Sequence, residues 1–151
     1  MSEQENRAVL DRINEECFNQ GTVDAVDELF SEDFVEHNPT FPGSDGGRDG
    51  FKQMIHTMHS AFPDFRTEVL DQIAAGDRVV ERWVSRGTHE GEFLGVPATG
   101  KVIEVEGMDI SRLEGGRVVE HWTQMDTLGV LQQLGLVPTE EEVVQAQASS
   151  A

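Results

Sequence analysis

Apolar positions in the first part of the chain recur at helical spacing. Between residues 5 and 20, Ala8 or Val9, Leu10, Ile13, Cys17 and Phe18 share one side, and Gly21 ends the run. Thr22 is placed to cap a short second helix through Phe30, with Val23, Val26, Leu29 and Phe30 as its apolar positions. An extended piece over Asp33–Asn38 stops at Pro39, and the turn-forming segment PTFPGSDGGRDG reads as a loop. A third helix is predicted from about Arg48 to Phe62, with Phe51, Met54, Ile55, Met58 and Phe62 on one stripe and Pro63 beyond it.

From there the period changes to two. Phe65–Ala75, Arg78–His89, Lys101–Leu113 and Arg117–Asp126 each read as strands. Ala75-Gly76-Asp77 and Glu114-Gly115-Gly116 supply tight hairpin turns, while EGEFLGVPATG makes a longer link rich in Gly and Pro. A final helix is predicted over about Thr127–Leu134, ended by Gly135 with Pro138 just past it. Helices followed by antiparallel strands define an α+β domain over residues 1–138, with 139–151 as a partly disordered tail. A curved sheet around about three helices leaves a cone-shaped internal space, where pockets tend to form.

The last strand, VVEHWTQMD over 118–126, carries the candidate chemistry. Residues two apart share a face, so Trp122, Gln124 and Asp126 are expected to look into the pocket together. Val119, Thr123 and Met125 would then face outward, with His121 on the same side, at an outer surface or a dimer interface. Asp126 has a second reading, since MDTLG places Asp126 or Thr127 at the N-terminus of the final helix as a cap. Both roles fit one residue.

Charge narrows the classes of partner. Asp and Glu total 29 against 11 Lys and Arg, a formal charge of −18 with a pI near 4.4. Such a chain repels nucleic-acid backbones and anionic membranes, and neither is expected as a partner. The acids are dispersed and lysines are scarce, Lys52 and Lys101 being the pair present, which suits a protein of a high-salt, halophilic cytosol. No apolar run approaches the roughly 20 residues of a membrane span, and no basic-then-apolar leader opens the chain. Cys17 has no cysteine to pair with, in keeping with a reducing cytoplasmic setting, and reads as a buried small hydrophobe.

Other histidines and arginines read structurally. His56 and His59 lie three apart on one helix but find no further ligand at a helpful spacing, so no metal site is expected. His89 in RGTHEG reads as a turn anchor, and Arg82 and Arg86 as partners of neighbouring glutamates. GSDGGRDG lacks the Lys-Ser/Thr ending of a phosphate loop.

The chain resembles the SnoaL-like polyketide cyclases (ester cyclases) of the nuclear-transport-factor-2-like superfamily. The resemblance rests on HNP at 37–39, AFPDF at 61–65, AAGDRVVERW at 74–83, RGTHEGEFLGVPATGK at 86–101 and GMDISRLEGGRVVEHWTQMDTLGVLQQLG at 107–135. It implies a cone-shaped α+β fold and an intramolecular aldol-type ring closure with no metal or organic cofactor. An aspartate near the end of the last strand serves those cyclases as acid/base, and Asp126 matches it by position.

That chemistry takes a proton from a carbon beside a carbonyl and returns one to a new alkoxide. An ordinary aspartate is a feeble base for the first step, and burial strengthens it. Trp83, Trp122, Phe51, Met54 and Met58 are expected to form the apolar wall, while Gln124, Asn38 or Arg112 would supply a donor to the enolate oxygen. The candidate substrate-binding residues are His37, Asn38, Trp83, Arg112, Trp122 and Gln124. Three functions compete: a cyclase or isomerase acting on a small hydrophobic carbonyl compound, a non-catalytic binder of such a ligand, and a scaffold whose sheet makes a dimer or higher homo-oligomer.

Overall fold

The computed structural model describes residues 1–39 and 44–150; the middle of the 39–50 loop lies outside the described residues. Helix α1 (Glu3–Arg12) starts in a capping box, in which the Ser2 hydroxyl accepts from Glu5 N and the Glu5 carboxylate accepts from Ser2 N. It widens into a π-helical stretch over Ile13–Asn19 that keeps Ile13 and Cys17 in the core. The Thr22 hydroxyl donates back to Glu16 O at 3.1 Å instead of capping a second helix. Helix α2 is therefore one turn only, Val26–Leu29, and strand β1 (Phe30–Glu36) begins sooner than the sequence pattern predicts.

Helix α3 spans Gly47–Ala61. Four long strands follow: β2 (Arg66–Ala75), β3 (Arg78–Thr88), β4 (Val102–Glu114) and β5 (Arg117–Met125). The sheet order is β1-β5-β4-β3-β2, antiparallel except where β1 runs parallel to β5. These elements realise the expected α+β cone. Helix α4 (Thr127–Gln133) folds back from β5. The segment after Pro138 forms helix α5 (Glu140–Ser149), capped by Thr139 and exposed along its whole length. No described helix is long and apolar enough to cross a membrane.

The inner face of the sheet packs against α1, its π-helical extension and α3. One apolar cluster gathers Leu10, Ile13, Phe30, Phe51 and Val118; a second gathers Phe62, Phe65, Phe93, Ile103 and Val130. The cavity lies between helices and sheet and is lined by both clusters.

One irregularity in β5 decides which side chains enter that cavity. Leu113 stands opposite Val118, yet its neighbour Arg112 stands opposite Glu120, so Val119 is an extra residue in β5. A bulge of this kind reverses the alternation that follows it. Val118 is inside before the bulge; His121, Thr123 and Met125 are inside after it.

Candidate active site

The cavity holds about 130 Å³ and is walled chiefly by apolar side chains. Helices supply Phe18, Phe51, Met54 and Met58, and the sheet supplies Trp83 and Val105. Against that background four ionisable groups stand on neighbouring strands: Glu36 on β1, His121 on β5, Asp109 on β4 and Glu81 on β3. The register explains their proximity, since Glu36 pairs with His121, and Glu81 with Asp109. Among the described residues no set of three or more His, Cys, Asp or Glu is arranged to hold a metal ion.

His121 is gripped on both sides. Its Nδ1 bonds to Glu36, and its Nε2 lies 3.4 Å from Asp109 Oδ2. Burial alone pushes an imidazole down, but the hydrogen bonds and negative charge of Asp109 and Glu36 outweigh it and hold His121 up at about 10. The ring is therefore an imidazolium at neutral pH, with a carboxylate at each nitrogen.

Asp109 is fixed from the other direction by Trp83, whose indole Nε1 donates to Oδ2 at 3.1 Å. Reaching it takes the ring across β4 over Gly107; a Cβ built there would stand 2.4 Å from Trp83 Cζ2. Glycine is thus required by the indole rather than by backbone torsion. Asp109 Oδ1 is buried with no hydrogen-bond donor among the described residues.

Glu81 is only 2% exposed. Asn14 Nδ2, from the π-helical turn, and Gln72 Nε2 both donate to its Oε1 at 2.9 Å. Burial, followed by the charge of Asp109, pushes its carboxyl above the usual carboxylate range despite those two donors.

The residues expected from the sequence divide sharply. Trp83 lines the cavity as expected. Asn38, expected to line the cavity, is not among its lining residues; its Oδ1 accepts from Thr123 N at 3.2 Å and ties the chain after β1 to β5. Trp122 lies on the outer face, stacked on His37 with ring centroids 4.7 Å apart and with Arg78 above it. His37 also bonds to Glu120 at 3.1 Å, and Glu120 to Arg112 at 2.5 Å, so His37 and Arg112 belong to the same outer cluster. Gln124 is exposed on that face too.

Asp126 points away from the cavity. It caps α4, its Oδ1 accepting from Gly129 N at 2.9 Å, and it is exposed. The expected inward placement of Trp122, Gln124 and Asp126 is thus corrected, as is the outward placement of Thr123, Met125 and His121. Phase is the cause. HWTQM carries apolar residues on both faces, and Trp122 satisfies its hydrophobic surface by stacking outside while Met125 enters the core.

Sequence reasoning missed Glu36, Glu81 and Asp109 and put His121 on the wrong side. A signal existed for Glu81, which shares strand parity with buried Val79 and cavity-lining Trp83. An acid on that face of the sheet is turned toward the helices rather than the outer surface.

A curved sheet closed over helices around an apolar cavity, with a buried acid–base cluster on the sheet side, is the cone-shaped architecture of the nuclear-transport-factor-2-like superfamily. Within it, the chain belongs to the SnoaL-like polyketide cyclase family, which it matches over residues 8–134. It is 29% identical over 120 residues to nogalonic acid methyl ester cyclase of Streptomyces nogalater, covering 79% of this chain and 90% of that one. The crystal structure of IdmH from Streptomyces antibioticus superposes with a TM-score of 0.74 at 35% identity, over 86% of this chain and 98% of that one. AclR from Streptomyces galilaeus, provisionally named a hydroxylase, superposes with a TM-score of 0.81 at 27% identity, over 99% of this chain and 92% of that one. One fold hosts more than one chemistry, so the reaction rests on the cavity.

Proposed function

We propose that the protein is a cofactor-free cyclase that closes a ring in a small hydrophobic carbonyl compound, with Asp109 and His121 as its acid–base pair. The single observation that carries this reading is the Asp109–His121 contact at the wall of an apolar cavity. Asp109 takes a proton from the carbon beside a carbonyl, and the resulting enolate forms a carbon–carbon bond with a second carbonyl of the same molecule. His121 gives its Nε2 proton to the new alkoxide. The proton on Asp109 then passes to His121, which returns both groups to their starting states. Asp126 serves as a helix cap in this reading and takes no part in the chemistry.

The test is turnover of nogalonic acid methyl ester, the compound named for the Streptomyces nogalater relative, followed by chromatography of the cyclised product. Cyclisation by the native chain, with about a 100-fold loss in Asp109→Asn, supports the reading. Binding of the ester without any product would favour the non-catalytic carrier instead.

Assembly and setting belong to the same proposal. Ile73, Val80, Ile110 and Trp122 form one cross-strand row on the outer face of the sheet, and Ile73 is 61% exposed. A self-complementary apolar row on a highly charged chain suits a two-fold homodimer. The residues expected at that interface change with the strand phase, from Val119, Thr123 and Met125 to this row. Sedimentation as a monomer at micromolar concentration would remove the dimer. The dispersed acids support a high-salt cytoplasm as the working environment.

A further inference from the structure

The Asp109–His121 reading leaves one buried ionisable group unused. Glu81 sits on the cavity wall, yet the two donors that reach it, Asn14 and Gln72, both bond to Oε1, and among the described residues none bonds to Oε2. The charges facing it are of its own sign. Asp109 stands opposite on β4, and Asp11 on α1 shares the Gln72 amide at 2.9 Å. The nearest positive charge in the cluster, His121, is already bracketed by Glu36 and Asp109. Arg86, the one arginine among the lining positions, turns its guanidinium outward to Glu104 at 2.6 Å.

With all three carboxyls ionised, the cluster would hold three negative charges against one imidazolium in a cavity walled chiefly by apolar side chains. A proton on Glu81 relieves the most deeply buried of them. Asn14 and Gln72 fit that state, because a carboxylic acid keeps a carbonyl oxygen to accept both amides while its other oxygen carries the proton.

We propose that Glu81 is a neutral carboxylic acid in the resting protein and donates its Oε2 proton to a carbonyl oxygen of the ligand. It is thereby a second polar anchor, on β3, facing the same ligand as Asp109 on β4. The ligand class follows: a neutral molecule with a hydrogen-bond acceptor set into an apolar frame. This builds on the cyclase reading by assigning the group that polarises the carbonyl, but its first test needs no turnover.

The full chain labelled with carbon-13 at glutamate side-chain carboxyls is titrated by NMR. A protonated carboxyl signal at pH 7 that vanishes in Glu81→Gln is expected; an ionised Glu81 at pH 7 overturns the proposal. Infrared spectra of bound 1-tetralone, a small apolar ketone, give the second readout. Its carbonyl band is expected to shift to lower frequency in the native chain, to lose that shift as pH rises through the titration of Glu81, and to show no such pH response in Glu81→Gln. An identical response in both proteins overturns the donor role. No binding of 1-tetralone by either protein would instead overturn the carbonyl-ligand reading on which the proposal stands, and the NMR titration separates these two failures.

Discussion

The indole nitrogen of Trp83 donates to Asp109 at 3.1 Å, and the ring that carries it passes over a backbone position that has no side chain. Wall and reactive group are thereby one unit. Gly107→Ala should lower stability by about 1–3 kcal/mol through overpacking, with a larger fractional loss of turnover, because the indole must move off the carboxylate. Trp83→Phe keeps much of the ring and removes the donor. It is expected to lower kcat more than it raises KM, measured by steady-state kinetics with the cyclase substrate beside thermal melts.

Asp109→Asn removes the base and one of the two carboxylates that hold His121. We expect turnover to fall about 100-fold and the imidazole titration, followed by proton NMR, to move to lower pH. An unmoved His121 titration in that variant would contradict the ion pair described above.

The raised His121 imposes a sign on the pH dependence of stability. Its value is about 10 in the folded chain, whereas an imidazole in the unfolded chain titrates near about 6.5. Between those values the folded state holds the extra proton, so stability declines as pH rises. The contribution is complete below about pH 6.5 and is lost as pH passes through about 10. Melts of the native chain should therefore fall toward alkaline pH, and His121→Gln should flatten that limb.

Asp126 is expected to matter for folding alone. Asp126→Ala removes the cap on α4 and should cost about 1 kcal/mol, whereas Asp126→Asn, an equally good cap, should cost little. Turnover should survive both changes. A collapse of activity in Asp126→Asn would return that residue to the chemistry.

Salt provides a test of the surface. A charge of −18 on 151 residues repels itself, and molar salt shortens the range of that repulsion to about 3 Å. The melting temperature should climb by several degrees between about 0.1 M and 2 M potassium chloride. A flat response would remove the case for a halophilic setting.

Much of this architecture is legible in the residues themselves. The change from helical to twofold spacing after Pro63, and the Gly-containing turns at 75–77 and 114–116, place all four long strands within a residue or two of their observed ends. The family resemblance is legible as well. The inner face of β5 is not, because an extra residue at Val119 shifts the alternation and Trp122 is as content stacked on His37 as it would be in a core. His121 shows the same limit: nothing local in HWTQ reveals that carboxylates from β1 and β4 wait on either side of it. Pairings between residues 85 and 12 positions apart are a property of sheet register, and register is fixed by the whole fold.

Apart from Asn14, the helical wall of the cavity contributes carbon and sulfur alone, whereas every ionisable group there hangs from the sheet. The helices therefore supply shape almost alone, whereas the sheet supplies both wall and chemistry. Exchanging Phe18, Phe51, Met54 or Met58 would recut the outline of the admitted molecule while leaving the proton-handling groups untouched. A lineage drifting along the helices would change its guests without relearning its reaction.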